Sequence, residues 1–206
     1  MFGLNAGDTI AQRYRITQQK PLGQGGMGAI YEAEDQHTGN RVAIKVMHDH
    51  LANHTQFRER FVQEAQSVAD LDHPNIVRVL EHSPAAKRLY IVMELVSGGS
   101  LRDYINRLRM PMSSAEAVPI VQQIAEALHY AHDHHVIHRD VKPENILLQP
   151  SAGDNPRAYT AMLTDFGLAK IADSIIETMT GRPFGTYAYM SPEQCKGEKV
   201  DRRSDI

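Results

Sequence analysis

"VIHRDVKPENILL", residues 136–148, sets four charged residues and an amide between two apolar runs. Arg139, Asp140, Lys142, Glu144 and Asn145 all fall inside this short stretch. Charges embedded in chain otherwise fit for burial are costly unless they are paired or given a chemical task. An acid, a cation and an amide held this closely, with apolar chain on both sides to fix them, suit a site that handles charge. The question is what kind of protein surrounds it.

Composition narrows the answer. The 206 residues suffice for one large domain or two small lobes with a real core. Hydrophobic residues make up 42%, charged residues 23%, and the formal net charge is −3, an ordinary soluble balance. Such mild acidity gives no long-range attraction to nucleic acid or to an anionic membrane. Cys195 is the single cysteine, so no intrachain disulfide can form, which fits a reducing compartment. The apolar run "LYIVMELV" is far too short to span a bilayer, and "MFGLNAGDTIAQRYR" lacks the basic-then-apolar order of a signal peptide. A cytoplasmic location is the expectation.

Periodicity changes along the chain. Through about Leu95, short segments alternate apolar and polar residues as antiparallel strands do: "AIYEAED" (29–35), "RVAIKVM" (41–47) and "RLYIVMEL" (88–95). One helical pattern interrupts them, with Phe57, Phe61, Ala65 and Val68 on a shared face. From Ser113 the pattern turns helical. Ala117, Val121, Ile124, Leu128 and Ala131 are expected to line one stripe, and Ser113 with Glu116 fits a capping box. Pro119 lies inside that stripe and predicts a distortion near the helix start. "SGGS" (97–100) reads as a hinge and "QPSAGDNPRAY" (149–159) as a polar surface loop. The whole reads as α+β, two unequal lobes with a cleft between them.

A glycine-rich stretch, "LGQGGMG", places Gly23, Gly25 and Gly28 just after Leu22. Glycines so spaced let backbone N–H groups approach phosphate oxygens with no Cβ in the way. A dinucleotide-binding unit needs a helix immediately afterwards, yet "AIYEAED" alternates like a strand. A Walker-type loop needs Gly-Lys-Ser/Thr, and Ala29 and Ile30 follow Gly28 instead. A glycine hairpin lying over a nucleotide remains. The next strand ends its apolar run on Lys45, in "VAIK", and Glu64 lies within the apolar face of the first helix. An acid in such a stripe wants a cation, so a Lys45–Glu64 ion pair is expected.

Taken together, "GQGGMG", "VAIK", Glu64, "HRDVKPEN", "DFG" (165–167) and "SPE" (191–193) resemble the ordered motifs of protein kinases, in family order across nearly the whole chain. The details look most like the eukaryotic-type serine/threonine kinases of bacteria. The resemblance implies a bilobal fold, with a strand-rich N-lobe over 1–95 and an incomplete helical C-lobe over 96–206. It implies ATP and Mg²⁺ as cofactors and a protein Ser/Thr hydroxyl as acceptor. Asp140 would orient or deprotonate that hydroxyl, Lys142 would steady the γ-phosphate, and Asn145 with Asp165 would hold the metal. Adenine would sit between Ile30 and Ala43 on one side and Leu147 on the other, with Glu94 and Val96 offering backbone hydrogen bonds behind Met93. Lys142 after Asp-Val is the Ser/Thr form of the motif.

By the same resemblance Arg139 pairs with a phosphorylated residue, and Thr178 and Thr180 match positions modified in trans by a second kinase copy. Thr186 is expected to contact the catalytic loop. The histidines of "HYAHDHHVIH" could suggest zinc, but no cysteine or carboxylate pair completes a set, and His138 belongs to the catalytic loop. The chain stops at "DRRSDI", where the family begins a long helix at the position of Asp205. The expectation is therefore a cut scaffold with Asp205 frayed, apolar surface exposed and weak nucleotide binding; a membrane anchor could lie in a missing C-terminal part. A nucleotide- or partner-binding pseudokinase is the alternative reading.

Overall fold

Alternation between Thr9 and Glu94 produces seven strands joined in one antiparallel sheet. In the computed structural model, residues 3–83, 88–151, 159–166 and 187–206 are described. The strands are β1 (Thr9–Ile10), β2 (Tyr14–Ile16), β3 (Gly23–Gln24), β4 (Gly28–Asp35), β5 (Arg41–Met47), β6 (Val79–His82) and β7 (Tyr90–Glu94). Their order is β1-β2-β4-β5-β7-β6, with β3 folded back on β4. Two short helices interrupt them, α1 (Asp49–Ala52) and α2 (Thr55–Ala69). The chain divides into two compact units, residues 1–69 with 78–95 and residues 70–77 with 96–206. Residues 70–77 thus group with the second unit although they precede β6 in the chain.

The first unit's sheet has two distinct faces because side chains alternate along each strand. Ile10, Tyr14, Ile16, Ala29, Tyr31, Ala33, Val42, Ile44, Val46, Tyr90 and Val92 are buried together. Their neighbours Ile30, Ala43, Lys45, Ile91 and Met93 fall on the other face, matched by the pairs Ile30↔Lys45, Lys45↔Ile91 and Ala43↔Met93. A polar cluster fastens one edge. Arg13 forks onto Asp35 at 2.7 Å through both Nε and Nη2 and reaches Glu81 at 2.9 Å through Nη1. Tyr14 and Tyr90 donate their hydroxyls to the same Glu81, joining β2, β6 and β7.

In the second unit, α3 (Leu101–Arg107) and α4 (Ser114–Asp133) are followed by the hairpin β8 (Ile146–Pro150) and β9 (Tyr159–Leu163) and by α5 (Pro192–Cys195). The Ser113–Glu116 capping box is present. α4 buries Ile120, Ile124, Ala127, Leu128 and Ala131, whereas Val121 is 66% exposed. The expected stripe through Val121 is therefore displaced by one residue at its start. Ile120 and Ile124 lie four apart, and so share a face as well as Val121 and Ile124 do; the partner surface decided between them. The helix runs unbroken through Pro119, whose carbonyl accepts from Gln123 Nε2 at 3.1 Å. Gln123 Oε1 also accepts from Asn75 Nδ2 and from the Ala161 N–H, both at 2.9 Å, tying α4 to β9 and to the 70–77 stretch.

Two glycines are fixed by close approach. A Cβ on Gly28 would lie 2.1 Å from the Val46 carbonyl oxygen, and one on Gly98 would lie 1.9 Å from that of Leu148. Gly98, in "SGGS", thus serves as a packing contact within the second unit. No helix among the described residues is long and apolar enough to cross a membrane.

Candidate active site

The glycine-rich stretch forms a hairpin. β3 pairs with β4 through Gly23↔Ile30 and Gln24↔Ala29, and the turn closes with the Gly25 N–H on the Gly28 carbonyl at 2.9 Å. Leu22 precedes it, its N–H bonded to the Ile30 carbonyl at 2.7 Å and its side chain half exposed. Added Cβ atoms at Gly23 and Gly25 would meet nothing within 4 Å, so their upper surface is open backbone. His48, just beyond β5, anchors the turn by donating its N–H to the Met27 carbonyl at 2.9 Å, with its ring nitrogen 3.0 Å from the Gly25 carbonyl. Ile30, Ala43 and Lys45 share one sheet face by register. Lys45 is buried at 5% exposure, so its stem is fixed by the strand around it. Glu94 ends β7, and its carboxylate accepts from the Arg78 N–H at 2.7 Å.

Among the described residues no ion pair between Lys45 and Glu64 is seen. Glu64 is half-buried on α2, and its side chain makes no hydrogen bond or ion pair among the described residues. The buried residues of α2 are Phe57, Phe61, Ala65 and Val68, and Glu64 sits at the edge of that stripe. Helical spacing located the acid correctly near the apolar face.

In the second unit the polar residues of 139–145 converge tightly. Lys142 Nζ lies 2.7 Å from Asp140 Oδ2, and Asn145 Nδ2 donates to the same oxygen at 2.9 Å and to the Asp140 carbonyl at 2.8 Å. This leaves Asp140 Oδ1 and Asn145 Oδ1 without hydrogen-bond partners among the described residues. A 3₁₀ turn at Pro143–Asn145 folds the chain back so that these side chains meet. Leu147 follows in β8, half exposed between buried Ile146 and Leu148.

His138 organises the core beneath. It is fully buried, and burial pushes its imidazole pKa down, toward the neutral form. Nδ1 accepts the Asp140 N–H at 3.2 Å, so Nε2 carries the proton and donates to the Thr164 carbonyl at 2.9 Å. The Thr164 N–H bonds the Asn145 carbonyl at 2.9 Å, tying the strand that delivers Asp165 to the turn that delivers Asn145. The Phe166 ring packs on His138 with centroids 4.6 Å apart. Arg139 and Asp165 both adopt positive φ, +68° and +67°. Such conformations are rare for side chains of this kind and cluster at functional sites.

Asp205 departs from expectation. It is 5% exposed and firmly held, accepting from the His138 N–H at 2.8 Å, the Arg139 N–H at 2.7 Å and His132 Nε2 at 2.8 Å. The 3₁₀ turn Arg202–Asp205 carries it beneath the loop, and two backbone donors outweigh the fraying expected of a chain end. Two other histidines of the cluster have structural partners: His134 contacts the Tyr130 carbonyl at 2.8 Å, and His129 lies 3.6 Å from Asp133. Asn145 Oδ1 and the Asp165 carboxylate are hard oxygen donors joined through one backbone hydrogen bond, and this donor set fits a magnesium-like cation. Gly167, Thr178, Thr180 and Thr186 lie outside the described residues.

With this geometry in view, the comparison with known families is specific. The sequence pattern of the protein kinase domain matches residues 16–206. The chain belongs to the protein kinase family. The kinase domain of Mycobacterium tuberculosis PknI superposes on it with a TM-score of 0.76 at 30% identity, over 98% of this chain and 73% of that one. Among similar curated proteins, a probable serine/threonine-protein kinase PknB of Lactococcus lactis is 40% identical over 98% of this chain and 31% of its own length. The serine/threonine-protein kinase PknJ of Mycobacterium tuberculosis is 41% identical over 98% of this chain and 33% of its own length. The kinase chain thus spans about a third of the length of these relatives.

Sequence reasoning missed two glutamines in this kinase unit. Gln123 joins three elements, and Gln194 Nε2 donates to the Arg139 carbonyl at 2.7 Å. Ser191 and Gln194 carry a capping-box spacing, so the local half of Gln194's role was visible. The bond to a residue 55 positions away had no signal in the sequence.

Proposed function

We propose that this chain carries the reacting centre of a serine/threonine protein kinase, which transfers the γ-phosphoryl group of ATP to a Ser or Thr hydroxyl of a protein. The observation that carries the reading is the Asp140–Lys142–Asn145 cluster, with contacts of 2.7–2.9 Å around one carboxylate oxygen. Asp140 Oδ2 is occupied, which leaves Oδ1 to accept the substrate hydroxyl's hydrogen bond and then its proton. The hydroxyl oxygen bonds to phosphorus as the bridging oxygen to the β-phosphate leaves. Lys142 is already beside Asp140 and steadies the transferred group, while Lys45 approaches the phosphates from the strand face. A divalent cation, when bound, neutralises charge on the phosphate oxygens. Asn145 and Asp165 would hold it through side-chain oxygens.

The nucleotide reading extends to Leu22, Gly23, Gly25, Gly28, Ile30, Ala43 and the backbone of Glu94 in the first unit, and to Leu147 and the backbone of Val96 in the second. Arg139 supports phosphate-dependent ordering, because its Nε is buried without a hydrogen-bond partner among the described residues. Thr178 and Thr180 are the modification sites of this reading, phosphorylated by a second copy. The kinase unit acts in the cytoplasm, where ATP is supplied. Every acid and base that the pseudokinase alternative would lack is present.

The test uses labelled ATP and a Ser/Thr substrate, comparing wild type with Asp140→Asn. Asp140→Asn is expected to lose at least about a hundredfold in kcat. It should still accept label on Thr178 and Thr180 when active wild type is added. Full activity in Asp140→Asn would sink the proposal.

A further inference from the structure

We infer that Gln194 is a positioning residue that fixes the backbone from which Asp140 projects; the catalytic consequence rests on the kinase reading above. The argument begins at Arg139. Its φ of +68° places a β-substituted residue in a sparsely populated region, which persists only where the surroundings over-determine it. Two peptide planes meet at Arg139, and a distant side chain holds each. The plane before it is held by the Arg139 N–H on Asp205 Oδ1 at 2.7 Å. The plane after it is held by the Arg139 carbonyl, which accepts from Gln194 Nε2 at 2.7 Å.

That second plane is shared with Asp140, whose own N–H bonds His138 Nδ1 at 3.2 Å. Pinning both planes sets both dihedral angles of Arg139, and hence the direction in which Asp140 leaves the chain. Gln194 is suited to the task by its two-sided amide. Oε1 accepts the Ser191 N–H at 3.0 Å and closes the cap of α5, while Nε2 is left to donate across to the loop. A carboxylate of the same length keeps the cap and loses the donor. The segment just before α5 is further linked to the loop through Arg102, which donates to Glu144 at 2.9 Å and to the Tyr189 hydroxyl, so a second tie remains when Gln194's bond is removed.

The experiment uses the full-length protein with Gln194→Glu, Gln194→Lys and Ser191→Ala, read by amide hydrogen exchange at Arg139 and Asp140 and by steady-state kinetics. Gln194→Glu should exchange about fivefold faster at these amides and lose kcat by a similar factor, with the KM for ATP within about twofold of wild type. Gln194→Lys keeps a donor but loses the cap acceptor, and should retain wild-type exchange at both amides. Ser191→Ala weakens only the cap and should also match wild type there. Wild-type exchange in Gln194→Glu overturns the inference. So does accelerated exchange in Ser191→Ala equal to that of Gln194→Glu, which would reduce Gln194 to a helix cap. Exchange scores Gln194 without reference to turnover, so an inactive wild type would count against the kinase reading alone.

Discussion

At the scale of single residues, Gly28 and Gly25 share a motif but serve different physical needs. The Gly28 Cα faces the Val46 carbonyl so closely that any Cβ must displace backbone, whereas Gly25 has open space above it. Gly28→Ala is expected to lose about 1–3 kcal/mol of stability, with Gly25→Ala within about 0.5 kcal/mol of wild type, as measured by denaturant unfolding. Sequence spacing identified both glycines and gave them the same role. Separating them requires knowing which strand lies beside each. Asp205 teaches the same lesson, since its place near the chain end predicted fraying while two backbone donors and His132 hold it fast.

At the scale of elements, α4 shows how far periodicity reaches. The stripe of Ile124, Leu128 and Ala131 was legible because those spacings admit only one helical face. In its first turns the expected stripe ran through Val121, and burial chose Ile120 instead. Ile124→Ala should cost about 2–5 kcal/mol by leaving a cavity. Val121→Lys should change stability by less than about 0.5 kcal/mol in the same unfolding assay. A large loss from Val121→Lys would show that a surface covers this face in solution. α2 marks the limit from the other side. Its buried face followed the predicted stripe of Phe57, Phe61, Ala65 and Val68, yet which partner the half-buried Glu64 at its edge takes is not written in helical spacing.

At the scale of the whole molecule, charge clusters between distant elements decide the response to pH. The Arg13 guanidinium holds the Asp35 carboxyl well below its ordinary value of 3.8, against the opposing effect of burial. A depressed folded value means the unfolded chain takes up a proton near 3.8 that the folded chain refuses. The stabilisation is therefore complete above that pH and is lost as pH falls toward the folded value. Thermal midpoints measured from pH 6 to pH 2 should fall more steeply in wild type than in Arg13→Met, which removes the cause of the shift. Equal slopes would discount the pair. The sequence alone, through its ordered motifs, pointed to the protein kinase family, the strand-rich and helical parts and the glycine hairpin, and it nominated Lys45, Asp140, Lys142, Asn145 and Asp165 as site residues. These follow from local chemistry and fixed spacing, both written in one dimension. Tertiary structure alone decided that Asp205 is buried, that Ile120 and not Val121 faces the core, and that Gln194 reaches the Arg139 carbonyl. Each depends on where a remote element comes to rest, which burial and hydrogen bonding settle together in three dimensions.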